Sequence, residues 1–139
     1  PIGSMLVGTE KFIARARHLR KMLGGGMRQV GVIAAAGLIS LEKMTARLGE
    51  DHAHARKLAD GLRKIEGVIL DEGSPHTNMI YFNLAEGLRL NAPQVAERMK
   101  QHGVLVDPDD WRRFRLVTHY WVDEAAVEKA ISAFGKVLN

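Results

Sequence analysis

Two apolar helical patterns are joined by the stretch Lys21-Met22-Leu23-Gly24-Gly25-Gly26-Met27-Arg28-Gln29, which decides how the first part of the chain folds. Glycines let backbone N–H groups approach a ligand closely, and the helix that follows offers its positive N-terminal end. The stretch is therefore suited to an anion such as a phosphate, with Arg28 adding a planar, permanently charged group. The residues alone leave a second interpretation open, in which Gly24 ends the first helix and Arg28 is solvated.

Regular patterns continue on both sides of this glycine stretch. Residues 2–7 are typical of a strand, and Thr9 is an N-cap for a basic helix that runs to Leu23. Residues 30–41 are apolar nearly all round, which predicts a helix buried on most of its sides. Where the cover of such a helix is missing, we expect exposed apolar surface and association.

From about Leu48 the pattern changes to a charged amphipathic helix that Gly67 ends. Strands are predicted over residues 68–70, 78–84, 104–106 and 114–118, and helices after Asn91 and Asp123. Residues 71–75 and 107–110 are the clearest loops, because both combine a proline with acidic residues and the first also contains a glycine. Together these elements predict an α+β layer.

Arg115 stands in a strand whose alternation puts Phe114 and Leu116 on one face and Arg115, Val117 and His119 on the other. Such an arginine belongs either to the solvated face of an antiparallel sheet or to a binding site. The residues alone leave both interpretations open.

Composition and charge exclude several classes of protein. The chain has 139 residues, 46% of them hydrophobic and 26% charged, and no cysteine, so disulfides and thiol chemistry are excluded. No apolar run reaches the roughly 18 to 20 residues of a membrane span, and no signal peptide is evident. The net charge of +4 comes partly from a basic helix without interleaved aromatic residues, which favours a solvated helix face over nucleic-acid binding. His52 and His54 are two residues apart, so no metal site is predicted.

Five segments occur in one order and with compatible spacing along nearly the whole chain. The segments are Pro1-Ile2-Gly3-Ser4-Met5-Leu6-Val7-Gly8, Arg20-Lys21-Met22-Leu23-Gly24-Gly25-Gly26-Met27-Arg28-Gln29 with Ala34-Ala35-Ala36-Gly37, Glu50-Asp51-His52, Thr77-Asn78-Met79 and Arg115-Leu116-Val117-Thr118-His119. Through them the chain resembles the low-specificity L-threonine aldolases, which are pyridoxal-phosphate (PLP) enzymes.

The resemblance implies an α/β fold of the aspartate-aminotransferase type, fold type I. Residues 1–47 would end the large PLP-binding domain, with a strand, a basic helix, the glycine loop and a buried helix. Residues 48–139 would form the small C-terminal α+β domain. The implied reaction is the cleavage of threonine, allo-threonine and other β-hydroxy-α-amino acids to glycine and an aldehyde.

The resemblance also implies roles for single residues. Arg115 would bind the α-carboxylate of the substrate, Arg28 would lie near the cofactor phosphate of a partner subunit, and Lys21 matches a nearby cofactor-binding position. The lysine that forms the Schiff base with PLP would stand upstream of Pro1, so the chain has no catalytic residue of its own and is expected to be inactive alone. A cytoplasmic homo-oligomer, a dimer of dimers, is implied, without nucleic acid or membrane partners.

Two alternatives remain beside the aldolase. The chain could be a non-catalytic module for oligomerisation or anion binding, or part of another fold-type I PLP lyase, such as a β-eliminating enzyme. The Gly-Gly-Gly-Met-Arg segment favours the aldolase over the second of these.

Overall fold

The computed structural model describes residues 3–139, and backbone contacts divide the chain into two units between Arg47 and Leu48. In the first unit, helix α1 spans Glu10–Met22. The Thr9 side chain accepts a hydrogen bond from the backbone N–H of Phe12 at 3.3 Å, which confirms the predicted N-cap. No cationic side chain of α1 is buried, as expected for a solvated face.

Residues 3–7 form no regular structure, so the prediction of a strand over residues 2–7 is wrong for this part of the chain. Ile2 lies outside the described residues. Strands need neighbours that accept and donate their backbone hydrogen bonds. All strands in the described range belong to one sheet of the second unit, so the apolar run from Met5 to Val7 has no strand partner there.

Helix α2 spans Gly31–Ile39 and continues as a π turn, Ser40–Met44, and a 3-10 turn, Thr45–Arg47. The prediction that this helix is buried is wrong within the chain, where Val32 is 84% exposed. The apolar sequence needs more cover than the first unit supplies, and the exposed surface is the one expected when that cover is missing.

The second unit packs three helices on one face of an antiparallel sheet. Its elements are α3 (Leu48–Leu62), β1 (Val68–Leu70), β2 (Met79–Leu84), α4 (Ala92–Gln101), β3 (Pro108–Asp110), β4 (Arg113–Val117) and α5 (Glu124–Leu138). The strand order in the sheet is β1-β2-β4-β3. The strands predicted at residues 68–70, 78–84 and 114–118 are confirmed to within a residue, as are the helices after Asn91 and Asp123.

Two helix starts show why the local sequence folds as it does. Asn91 and Gln94 form a capping box, in which each side chain accepts a hydrogen bond from the other's backbone N–H. Asp123 accepts from the backbone N–H of Ala126 at 2.8 Å at the start of α5. These caps satisfy N–H groups that a helix leaves without internal partners.

The region between α4 and β4 differs from the prediction. Residues 104–106 form no strand, and Val104 instead donates its N–H to the carbonyl of Met99 at 3.1 Å. The strand β3 lies at Pro108–Asp110, where a loop was predicted. It is an edge strand bonded only to β4, a position that tolerates proline, and its register shifts between Pro108 and Asp110.

The core beneath the sheet is organised around three phenylalanines with no solvent exposure, Phe82, Phe114 and Phe134. Phe82 and Phe114 are paired across β2 and β4 and stack with ring centroids 5.1 Å apart. Phe134 of α5 contacts both rings edge-on, at 5.5 and 5.8 Å. Such aromatic contacts fix α5 against the two central strands.

Helices α3 and α5 meet at a close contact and an ion-pair cluster. A Cβ added to Gly61 would lie 2.6 Å from Cγ1 of Ile131. Lys57 Nζ lies 2.5 Å from a Glu124 carboxylate oxygen and 2.7 Å from one of Glu128. Hydrogen bonding to Glu124 and Glu128 raises the pKa of Lys57, and the bond from Lys57 lowers the pKa of Glu124.

Candidate functional site

The sheet of the second unit has one face covered by helices and one face without them. Alternation along β4 buries Phe114 and exposes Arg115, as predicted. Arg115 is paired with Tyr81 of β2, and Arg113 with Asn83. We call the uncovered side the open face; on it lie Ile69, Asp71, Met79, Tyr81, Asn83, Arg113, Arg115 and Val117.

Three arginines follow one another closely in sequence and have different surroundings. Arg112 points away from the open face and donates to the backbone carbonyls of Leu84, Ala85 and Leu88. It therefore ties the end of β2 and the following loop to the start of β4. Because three carbonyls occupy its guanidinium, Arg112 has a structural role.

Arg113 belongs to a network on the open face. Its Nη2 donates to Asp71 Oδ2 at 2.5 Å, and its guanidinium lies over the Tyr81 ring, 5.1 Å from the ring centroid. Asn83 Nδ2 donates to the other Asp71 oxygen at 2.9 Å. The charge of Arg113 is thus balanced by Asp71, and Asp109 Oδ2 lies a further 3.9 Å from its Nε. Sequence reasoning missed this network, although Arg113 has the same parity along the strand as Arg115.

Arg115 has no such partner. It is exposed, and within residues 3–139 its guanidinium makes no hydrogen bond or ion pair. The Tyr81 N–H donates to Ser74 Oγ, and the Tyr81 carbonyl accepts from the Asp71 N–H, so both backbone groups point away from β4. Tyr81 and Arg115 are therefore a non-hydrogen-bonded pair, in which facing side chains are close. An unpaired guanidinium on an uncovered sheet face can bind a carboxylate through two parallel hydrogen bonds.

A buried contact fixes the strand just beyond Arg115. The Thr118 hydroxyl, 1% exposed, donates to the backbone carbonyl of Asp51 at 2.6 Å. Asn78 Nδ2 donates to the Thr118 carbonyl at 2.8 Å, so the residue before β2 is bonded to the residue after β4. Segments of the resemblance that lie far apart in sequence therefore meet around Thr118, where they join α3 to β2 and β4.

The glycine stretch ends α1 with a specific backbone motif. Gly25 N–H donates to the Arg20 carbonyl at 2.8 Å and Gly24 N–H to the Lys21 carbonyl at 3.2 Å, while Gly24 adopts a φ of +84°. This is the Schellman arrangement, which requires a left-handed residue. The first two glycines are therefore used in ending the helix, and their N–H groups are not available to an anion.

The rest of the stretch leaves polar groups exposed. Among the described residues, the backbone N–H groups of Gly26 and Met27 have no hydrogen-bond partner, and Arg28 is exposed without an ion pair. Lys21 lies in the last turn of α1 with its side chain along Gly26, where an added Cβ would be 3.1 Å from Nζ. Lys21 at the end of α1 and Arg28 in the loop that follows therefore belong to the first unit, whereas Arg115 belongs to the second.

The family model for beta-eliminating lyases matches residues 1–85. The chain belongs to the beta-eliminating lyase family. It is 42% identical over 139 residues to the probable low-specificity L-threonine aldolase 2 of Arabidopsis thaliana. The aligned region covers 100% of this chain and 39% of that protein. With the low-specificity L-threonine aldolase of Escherichia coli strain K12 it shares 42% identity over 119 residues, 86% of this chain and 33% of that protein.

These matches confirm the resemblance carried by the five segments. The low-specificity L-threonine aldolase 1 of Arabidopsis thaliana is 36% identical over 138 residues. The aligned region covers 99% of this chain and 38% of that protein. The chain therefore spans about two fifths of the length of the Arabidopsis relatives.

Solved structures confirm the predicted fold. The cystine C-S lyase C-DES in complex with its product cysteine persulfide matches with a TM-score of 0.62 and 17% identity, over 76% of this chain and 28% of that chain. A C-DES variant with glycine covalently linked to its PLP cofactor matches with a TM-score of 0.57 and 15% identity, over 66% and 24%. The fold is the α/β fold of these PLP enzymes. No helix within residues 3–139 is long and apolar enough to cross a membrane.

Proposed function

We propose that this chain is part of a PLP-dependent aldolase that cleaves L-threonine, L-allo-threonine and related β-hydroxy-α-amino acids to glycine and an aldehyde. The observation that carries the proposal is the exposed guanidinium of Arg115, which has no counter-ion within the described residues. Identity of 36 to 42% to proteins named low-specificity L-threonine aldolases supports the choice of substrate class.

The residues present fit the two anionic groups that such a reaction needs to hold. Arg115 on the open face would bind the α-carboxylate of the amino acid through both guanidinium edges, which orients the bonds around Cα. Arg28 would hold the cofactor phosphate of a partner subunit, with Lys21 as a weaker contributor from the last turn of α1. The unpaired N–H groups of Gly26 and Met27 are of the right kind to assist.

Pyridoxal phosphate, when bound, supplies an electron sink for the pair released when the Cα–Cβ bond breaks. In the balanced reaction the β-hydroxyl loses its proton, Cβ leaves as the aldehyde carbon, and Cα gains a proton to give glycine. The lysine that links the cofactor to the protein would come from sequence upstream of Pro1. We further propose that the enzyme is a cytoplasmic dimer of dimers. The role of Arg28 at a neighbouring active site would require at least two subunits.

The first experiment compares this chain with a longer protein that extends upstream through the expected lysine. Only the longer protein is expected to bind PLP, seen by its absorbance, and to release glycine from L-threonine. Cofactor binding without threonine cleavage, together with elimination from L-cystine, would instead support a β-eliminating lyase, the activity that the name of the matching family describes. Absence of cofactor binding by the longer protein would support the non-catalytic module.

The second experiment tests Arg115 in the longer protein. Arg115→Gln is expected to raise KM for threonine roughly 10- to 100-fold, because a charged hydrogen-bonding partner of the carboxylate is lost. Arg115→Lys should have a KM between those of the wild type and Arg115→Gln, since lysine keeps the positive charge but cannot form two parallel hydrogen bonds to a carboxylate. Arg89→Gln is the matched control, because Arg89 is an exposed loop arginine of the same unit. An unchanged KM in Arg115→Gln would contradict the assignment.

A further inference from the structure

The open face carries two guanidinium groups, those of Arg113 and Arg115, and among the described residues only Arg113 forms ion pairs there. Besides its bond to Asp71, Arg113 Nε lies 3.9 Å from Asp109 Oδ2 of the edge strand β3. Asp71 is bonded through Oδ2 to Arg113 and through Oδ1 to Asn83. Arg115 has no ion pair, although it is on the same face. The question is why Arg113 rather than Arg115 holds Asp71.

Distance along the sheet does not decide between the two arginines. Asp71 donates its N–H to the Tyr81 carbonyl, and Tyr81 is paired with Arg115, so the three lie in one row across the strands. Asp71 and Arg115 are therefore two strand spacings apart, about 10 Å. Arg113 stands two residues along β4, about 7 Å further along the strand direction, and still reaches Asp71 by crossing the Tyr81 ring. The backbone of Arg115 thus starts closer to Asp71 than that of Arg113.

We propose that Arg113 is a positioning residue that occupies Asp71 and so keeps Arg115 available for a ligand carboxylate. The inference depends on the proposed function for the ligand, an amino-acid carboxylate, and deepens it by adding two residues. Arg113 and Arg115 together balance the charges of Asp71 and Asp109, and Arg115 is the cation of these four groups that is left without a partner. Without Arg113 the remaining three groups have a net charge of −1, and Asp71 competes with the ligand for Arg115.

A simple structural brace would behave differently. If Arg113 only held β1 and β2 to β4, Arg113→Gln would weaken ligand binding by disturbing the sheet. A further Asp71→Asn substitution would then leave binding equally weak or weaken it more. If Arg113 contacted the ligand itself, removal of Asp71 would not restore binding. Competition by Asp71 alone predicts that Arg113→Gln is harmful and that Asp71→Asn in the same protein reverses the harm.

The first test uses this 139-residue chain without cofactor. Arginine Nε–Hε signals are recorded by NMR for the wild type, R113Q and D71N/R113Q, with the Arg115 signal assigned from R115K. We expect the Arg115 side chain to be mobile in the wild type, slowed in R113Q by pairing with Asp71, and mobile again in the double variant. An Arg115 signal that does not change in R113Q would overturn the inference. If R113Q loses its amide dispersion, R113M replaces it, because the methionine stem keeps contact with the Tyr81 ring.

The second test uses the longer, PLP-loaded protein. An exposed ion pair of ordinary strength would sequester Arg115 in about five molecules of six, so R113Q should raise KM for threonine about sixfold. Saturating substrate displaces Asp71, so kcat should be unchanged. D71N/R113Q should return KM to within about twofold of the wild type, and R89Q should leave it unchanged.

The two tests separate the two proposals. An NMR switch together with a restored KM in D71N/R113Q supports both. An NMR switch with unchanged KM in R113Q and in R115Q shows that Arg115 does not bind the substrate, and the proposed function of the site fails while the ion-pair exchange stands. A raised KM that the double variant does not restore overturns the role of Asp71 as competitor.

Discussion

A Gly61→Ala substitution tests the contact between α3 and α5 and should destabilise the protein, although alanine is the better helix former. A Cβ at this position meets three carbons of Ile131: Cδ1, Cγ1 at 2.6 Å and Cγ2 at 2.9 Å. Both Cγ atoms are attached to Cβ, so rotation of the terminal torsion does not clear the contact. The neighbouring helix has to shift, or Ile131 has to leave its rotamer.

The magnitude follows from two opposing terms. Alanine gains about 1 kcal/mol of helix propensity over glycine. Overpacking of a tight contact costs about 1 to 3 kcal/mol, so the net loss is about 1 kcal/mol at the middle of that range. In an Ile131→Ala background the contact is gone, and Gly61→Ala should stabilise by about 1 kcal/mol. The coupling free energy between the two sites is therefore about 2 kcal/mol.

The assay is urea unfolding of the wild type, the two single variants and the double variant, followed by circular dichroism. Gly135→Ala on α5 is the control, because a Cβ there meets nothing within 4 Å. It should stabilise by up to about 1 kcal/mol. If Gly61→Ala stabilises by the same amount in both backgrounds, the helices do not approach each other at this glycine and the reasoning is refuted.

Three further changes test other parts of the second unit by the same unfolding assay. Thr118→Val removes the hydroxyl bonded to the buried carbonyl of Asp51 and should destabilise by about 1 to 3 kcal/mol. Asn91→Ala removes the cap of α4 and should cost about 1 kcal/mol. Lys57→Met should lower the urea midpoint near neutral pH, because it removes the ion pair of Lys57 with Glu124 and Glu128. The bond to Lys57 lowers the pKa of Glu124, so the difference from the wild type should shrink as the pH falls below 4.5 and the Glu124 carboxylate becomes protonated.

The raised pKa of Lys57 sets the upper pH limit of this effect. The stability that protonated Lys57 contributes is fully present below pH 10.5 and is lost as the pH rises through the pKa of Lys57 in the folded protein. A midpoint difference that persists at pH 2 would contradict the ion-pair origin. For Thr118→Val, a restored stability in Thr118→Ser would confirm that the hydroxyl matters. For Asn91→Ala, an unchanged midpoint would mean that the capping box does not form.

Sequence patterns predicted most elements of the second unit because each is encoded locally. The alternation from Phe114 to Val117 gave both faces of β4, and Asn91 and Asp123 gave two helix starts. The short strand Pro108–Asp110 was missed because it depends on its pairing with β4 rather than on its own residues. The predicted strand at residues 2–7 failed in its described part for the converse reason, since apolar residues alone do not supply a neighbour.

The candidate site was only partly accessible from the sequence. The exposure of Arg115 followed from alternation, whereas its role followed from the resemblance. What distinguishes Arg112, Arg113 and Arg115 is which acceptor each meets in space, and no spacing rule contains that information. Asp71 is separated from Arg113 by 42 positions, so their ion pair appears only when β1, β2 and β4 are assembled.

The register shift in β3 has a consequence for how the chain tolerates changes in length. A single inserted residue within β4 would exchange Phe114 and Arg115 between the core and solvent. At the bulged edge strand, between Pro108 and Asp110, an additional residue is accommodated without moving the partner strand. Insertions and deletions among relatives should therefore accumulate in the segment from α4 to β3, while the spacing from Arg113 to Arg115 stays constant.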